Sequence, residues 1–175
     1  MEQSSVGLVG IAAVALLDQC AAFIQSIPER VYTADATTIR GGTIGKHVRH
    51  SLDHFAAALH GHSGTEPIDY DHRARNVPME TERESALAAI RSMQSMIASL
   101  GEAELGSPVR IRVMLSSDGG DAVLASTLAR ELAFATHHAI HHNTMMKTIA
   151  AEFGLEVGDE FGKAPSTLNY ESSRR

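Results

Sequence analysis

Seven of the ten histidines in this chain lie in two short stretches: His47, His50 and His54 in the first, His137, His138, His141 and His142 in the second. Neutral imidazole is the commonest metal-binding side chain. On a helix, residues three or four apart stand on the same face, so two helices that each present histidines at this spacing can converge on a single ion. A metal site is the first chemistry these residues suggest, and a purely structural polar network is the plainer alternative. The single cysteine, Cys20, rules out a thiolate zinc site and an internal disulfide. Its apolar helical surroundings point to a buried structural thiol rather than a reactive one.

The chain has 175 residues, 43% of them hydrophobic and 21% charged, which suits a single domain over residues 1–175 with a sizeable core. A formal net charge of -6 and the lack of any long Lys/Arg run argue against a nucleic-acid partner. Residues 6–24 are apolar enough to be weighed as a membrane span or signal peptide. Asp18 and Gln19 interrupt them, and the preceding Met-Glu-Gln-Ser-Ser carries no positive charge. The expectation is a buried first helix in a cytoplasmic protein with no membrane partner.

Four long helical segments must position the histidines. The first covers about residues 4–26 and stops before Pro28. The second covers about 43–60 and ends in a Gly-His-Ser-Gly turn. The third starts at Thr81, with Glu84 in capping-box position, and ends before Gly101. The fourth starts near 118–121 and continues to about Phe153. Residues 109–115 alternate as a short strand would, residues 116–120 form a turn, and residues 66–79 and the tail from Gly158 read as irregular. The fold class expected is all-α: an up-and-down four-helix bundle with a short extended segment between helices three and four. Apolar helix faces would also support a homodimer.

At roughly 100° per residue, Leu124, Leu128, Leu132, Ala135, Met146, Ile149 and Phe153 define the inward stripe of the fourth helix. His142 falls on the same line as Leu124 and His138 about 40° from it, whereas His141 and His137 fall about 100° and 140° away. His138 and His142, four apart, are therefore the inward pair. Glu131 shares their stripe and needs a partner, as the acceptor for a ligand imidazole or in an ion pair with Arg at the bundle edge. In the second helix His47, His50 and His54 share the face beside the arc of Ile44, Val48, Leu52, Phe55 and Leu59. His47 lies closest to that arc and His50 furthest, so periodicity does not choose among them. His60, His62 and His72 read as solvated loop residues. Met93, Met96, Met145 and Met146 read as core filler.

The run Thr43-Ile44-Gly45-Lys46-His47-Val48-Arg49-His50-Ser51-Leu52-Asp53-His54, followed by Arg130-Glu131-Leu132-Ala133-Phe134 and His138-Ala139-Ile140-His141-His142, resembles the DinB/YfiT-like superfamily over nearly the whole chain. The resemblance implies a four-helix bundle that binds a divalent metal through one histidine of the second helix and an HxxxH pair of a later one. Carried onto this sequence, the ligands are His50, His138 and His142, with His47 and His54 as substitutes. Asn143 stands where many members carry a larger residue.

Three neutral imidazoles leave positions open on an ion, where water becomes more acidic and a thiol is deprotonated. Two enzymatic readings follow: hydrolysis by metal-bound hydroxide, and transfer of a low-molecular-weight thiol, which the resemblance implies for some relatives. A non-catalytic metal-binding or stress-response protein is the reading from a different class. Zinc and nickel come first among metals, and imidazole also serves iron, copper and manganese. The partner expected is a small-molecule substrate. Tyr70, Arg73 and Arg75 in the long loop are candidates to bind its anionic part.

Overall fold

A computed structural model describes residues 4–72 and 77–174 of the chain. The elements run α1 (Ser5–Ser26), α2 (Glu29–Tyr32), α3 (Ile44–Gly61), β1 (Ile68–Asp69), a 3-10 turn (Pro78–Glu80), α4 (Arg83–Ser99), α5 (Glu102–Leu105), β2 (Pro108–Met114), β3 (Asp121–Thr127), α6 (Leu128–Glu152) and α7 (Pro165–Ser172). The expected all-α, up-and-down four-helix bundle is corrected on this point. Among the described residues there are seven helices and a three-stranded mixed sheet, with β1 parallel and β3 antiparallel to β2.

The long helices begin and end where side chains supply the missing backbone partners. Ser4 accepts from the Gly7 amide at the start of α1, Thr43 from Lys46 at the start of α3, and Thr127 from Arg130 at the start of α6. Each satisfies one of the amide groups a first turn leaves unpaired. α1 ends before Pro28, whose ring disfavours helical backbone in the residue before it. The predicted capping box at Thr81 does not form. Helix α4 begins two residues later, and the Thr81 hydroxyl turns to the Pro78 carbonyl instead.

The core is built from apolar stripes at helical spacing. Leu16, Leu17, Cys20, Phe23 and Ile24 come from α1, and Val48, Leu52, Phe55 and Leu59 from α3. Ile90, Met93 and Ile97 come from α4, and Leu128, Leu132, Met146 and Ile149 from α6. Helix α1 packs on α4 and α6, and α3 on the same two partners. By length and composition α1 could cross a membrane, but a third of its most apolar window is buried in this packing. Cys20 is buried, which pushes its thiol up to about 12, so it stays protonated and inert.

The strand β3 replaces the first two turns expected of the fourth helix. Asp121–Thr127 pairs with Pro108–Met114 in register from Pro108↔Thr127 to Met114↔Asp121. The tail departs too. Phe161 stacks on Phe23 with ring centroids 4.5 Å apart, and α7 follows it. The 66–79 loop contributes β1 to the sheet; its Arg73 and Arg75 lie outside the described residues.

Two glycines bring the chain close to the histidines. A Cβ at Gly45 would stand 2.0 Å from the Glu80 carbonyl oxygen and 2.8 Å from the Tyr32 ring, so only glycine lets the first turn of α3 pack there. A Cβ at Gly42 would meet His47 Nε2 at 3.1 Å and Ile39 at 2.9 Å, so the loop before α3 lies directly against the first histidine.

Candidate metal centre

Helix α6 presents His138 and His142 one turn apart, with their Nε2 atoms separated by 3.1 Å. Helix α3 packs against α6 and brings His50 to the same point, its Nε2 3.0 Å from that of His138. One nitrogen from each of the three residues lies within 4.8 Å of the others. His142 is buried, and His50 and His138 are half-buried. His137 and His141 are exposed, although His141 meets the ring of His142 edge-on at 5.5 Å.

Hydrogen bonding alone satisfies this cluster poorly. A neutral ring nitrogen carries either a hydrogen or a lone pair. His138 Nε2, with a second Nε2 close by on two sides, can make only one well-directed hydrogen bond at a time. A cation at the convergence point would use all the lone pairs together. For metal–nitrogen bonds of about 2.1 Å, two ligand nitrogens stand about 3.0 Å apart at a right angle and about 3.4 Å apart at the tetrahedral angle. The separations of 3.0 and 3.1 Å are compatible with such a site.

The surroundings disfavour protonation of His142 and His47. His142 is pushed from its usual 6.5 down to about 3, first by burial and then by the neighbouring His50, His138, His47 and His141. His47 is lowered as well, by burial and then by His141. Protonation would put charge into a crowded, partly dry site, whereas neutral imidazole is the form that ligates.

His47 and His54 take other positions. His47 Nδ1 contacts His142 Nδ1 at 2.9 Å, on the side of the ring away from the cluster, and its own Nε2 is buried without a hydrogen-bond partner among the described residues. His54 Nδ1 donates to the His50 carbonyl oxygen at 2.9 Å. Its ring lies between Tyr70, stacked at 5.2 Å, and His138, tilted at 4.0 Å between centroids. Both rings therefore brace the inner three.

Glu131 is fully buried, and its hydrogen-bond partners are not imidazoles. It accepts from the Tyr70 hydroxyl at 2.6 Å, from the Ser126 hydroxyl, and from Arg130 at 3.1 Å. It joins the 66–79 loop, β3 and α6 at one point. Burial and this carboxylate hold the Tyr70 phenol well above its ordinary range, and its one hydroxyl hydrogen goes to Glu131.

A cleft of about 320 Å³ reaches the cluster from outside, with His47, His50 and His142 in its wall. Its rim comes from the loop before α3 and the first turns of that helix, through Arg40, Lys46 and Arg49. Sequence reasoning did not single out these cations. The Gly41-Gly42 pair just ahead of a capped helix was the available sign that backbone passes close to the site there.

Over 104 residues the chain is 36% identical to a protein of Rhizopus delemar named FK506-binding protein 5. The matched stretch makes up 59% of this chain and 27% of that protein, so the chain spans little more than a quarter of its relative. No family model and no solved structure matches the chain.

Proposed function

We propose that the chain binds a divalent metal ion through His50, His138 and His142, and is a metal-dependent enzyme of the DinB-like kind acting on a small molecule. The observation that carries this reading is the approach of three Nε2 atoms from two helices at separations of 3.0 and 3.1 Å. One ion fits that spacing and hydrogen bonds alone do not satisfy it. Zinc or nickel suits an all-imidazole set. A bound ion would acidify a coordinated water or hold a thiol as thiolate, the chemistry of a hydrolase or of a thiol transferase. The cleft that reaches His50 and His142 favours catalysis over storage, because it leaves one side of the site open to a ligand from solution. Within this reading His47 and His54 hold the ligand rings in place. The FK506 binding named for the relative belongs to that protein.

The test is elemental analysis of purified, remetallated protein together with its single-histidine variants. Wild type should hold about one ion per chain. His50→Ala, His138→Ala and His142→Ala should each lower metal affinity at least about tenfold, while His137→Ala and His141→Ala stay near wild type. Full occupancy in the His138 and His142 variants, with circular dichroism showing folded protein, would overturn the assignment.

A further inference from the structure

The cleft over the imidazole cluster differs in charge from the rest of the molecule. The chain carries a formal charge of -6, yet among the described residues Arg40, Lys46 and Arg49 line the cleft and no Asp or Glu does. These cations are not equivalent. Arg49 is committed, with Glu80 at 2.7 Å and Asp53 at 3.7 Å. Lys46 Nζ donates to the Gly41 carbonyl at 2.8 Å, which fixes its head at the rim without cancelling its charge. Arg40 is exposed and makes no ion pair with an acid among the described residues. The loop that carries it is pinned at its other end, where Glu152 accepts from the amides and hydroxyls of both Thr37 and Thr38. The cation is therefore held over the opening by a built loop. Two positive charges with no acid partner among the described residues, over the open side of the imidazole cluster, attract a ligand of opposite charge. A volume near 320 Å³ lies at the small end of ligand pockets.

Resting on the metal-site reading above, we infer that the substrate is a small anion: a molecule whose reacting group meets the metal while a carboxylate or phosphate group is held by Arg40 and Lys46. Arg49, paired with two acids, orients the rim. Arg40 and Lys46 set specificity and take no part in holding the ion.

The experiment uses cobalt-loaded full chain, with cobalt uptake read from its visible bands and ligand binding from the sulfur-to-cobalt charge-transfer band. The probes are 3-mercaptopropionate, the neutral 3-mercapto-1-propanol and the cationic cysteamine. The anionic thiol should bind up to about fivefold tighter than the neutral one, the upper end of what an exposed ion pair contributes, and cysteamine should bind weakest. Arg40→Gln and Lys46→Gln should each reduce the preference, and together bring it within about twofold of parity. The preference should shrink as salt rises. Acetate and inorganic phosphate should both compete, and the stronger competitor identifies the anionic group. Equal binding of the three thiols, or a preference untouched in the double variant, overturns the inference and leaves the metal reading standing. Failure of the wild type to take up cobalt overturns the metal reading and this inference with it.

Discussion

The Nδ1 atoms of His47 and His142 lie 2.9 Å apart although 95 residues separate them in sequence. His142 thus has a neighbour for each ring nitrogen: His138 at Nε2 and His47 at Nδ1. If Nε2 faces the ion, Nδ1 must carry the hydrogen and donate it to His47, which fixes both tautomer and ring orientation. His47→Ala should then lower metal affinity by about ten- to a hundredfold and by less than loss of His142. Competition with a chromophoric chelator measures this. A loss equal to that of His142→Ala would make His47 a ligand.

Acid should destabilise the metal-free fold. The unfolded chain takes up a proton at His142 near the usual 6.5, whereas the folded site resists protonation down to about 3. Between those values the unfolded state binds more protons, so stability falls as pH drops through that window. Urea titrations at stepped pH should show this slope, and His142→Phe should show a shallower one. An identical slope in the variant would assign the effect to other groups.

The buried carboxylate of Glu131 depends on its three donors. Tyr70→Phe removes one of them and should cost about 1–3 kcal/mol, the penalty for an unmatched buried polar group. Combined with Glu131→Met the loss should be clearly less than additive. Additive losses in a double-mutant cycle would show that the two side chains do not act together.

Gly45→Ala touches no imidazole, yet its Cβ would overlap backbone at Glu80. The first turn of α3 must shift to make room, at about 1–3 kcal/mol, and His47 and His50 move with it. Metal affinity should fall along with the melting temperature. Unchanged metal affinity in a destabilised variant would mean that the helix start does not set the site.

Local signals made the helix ends readable. Ser4 and Thr43 are side-chain caps next to apolar periodicity, and Pro28 is a stop. Strand β3 was hidden because Leu124 stands four and eight residues before Leu128 and Leu132 and so extends their helical stripe. Its real partner is Ile111, a relation across a hairpin that periodicity does not carry. The inward aim of His138 and His142 was legible for the same reason α6 was, since one helix fixes both. The position of His50 relative to them depends on how α3 lies against α6, and a single helical wheel holds no such information. The pairing of Tyr70 with Glu131, 61 residues apart, was equally out of reach.

Two of the three clustered imidazoles ride on α6 and the third on α3. The first spacing is set by one helical turn and is nearly immutable. The second is a measure of axial alignment between two rods. Sliding one helix past the other by a single residue's rise, about 1.5 Å, would take His50 out of the 3.0 Å approach to His138 without unfolding a turn of either. The triad therefore works as a gauge of helix register. An ion seated in it would fasten that register in place, and anything that moves α3 along its axis would be felt first as a weakened grip on the ion.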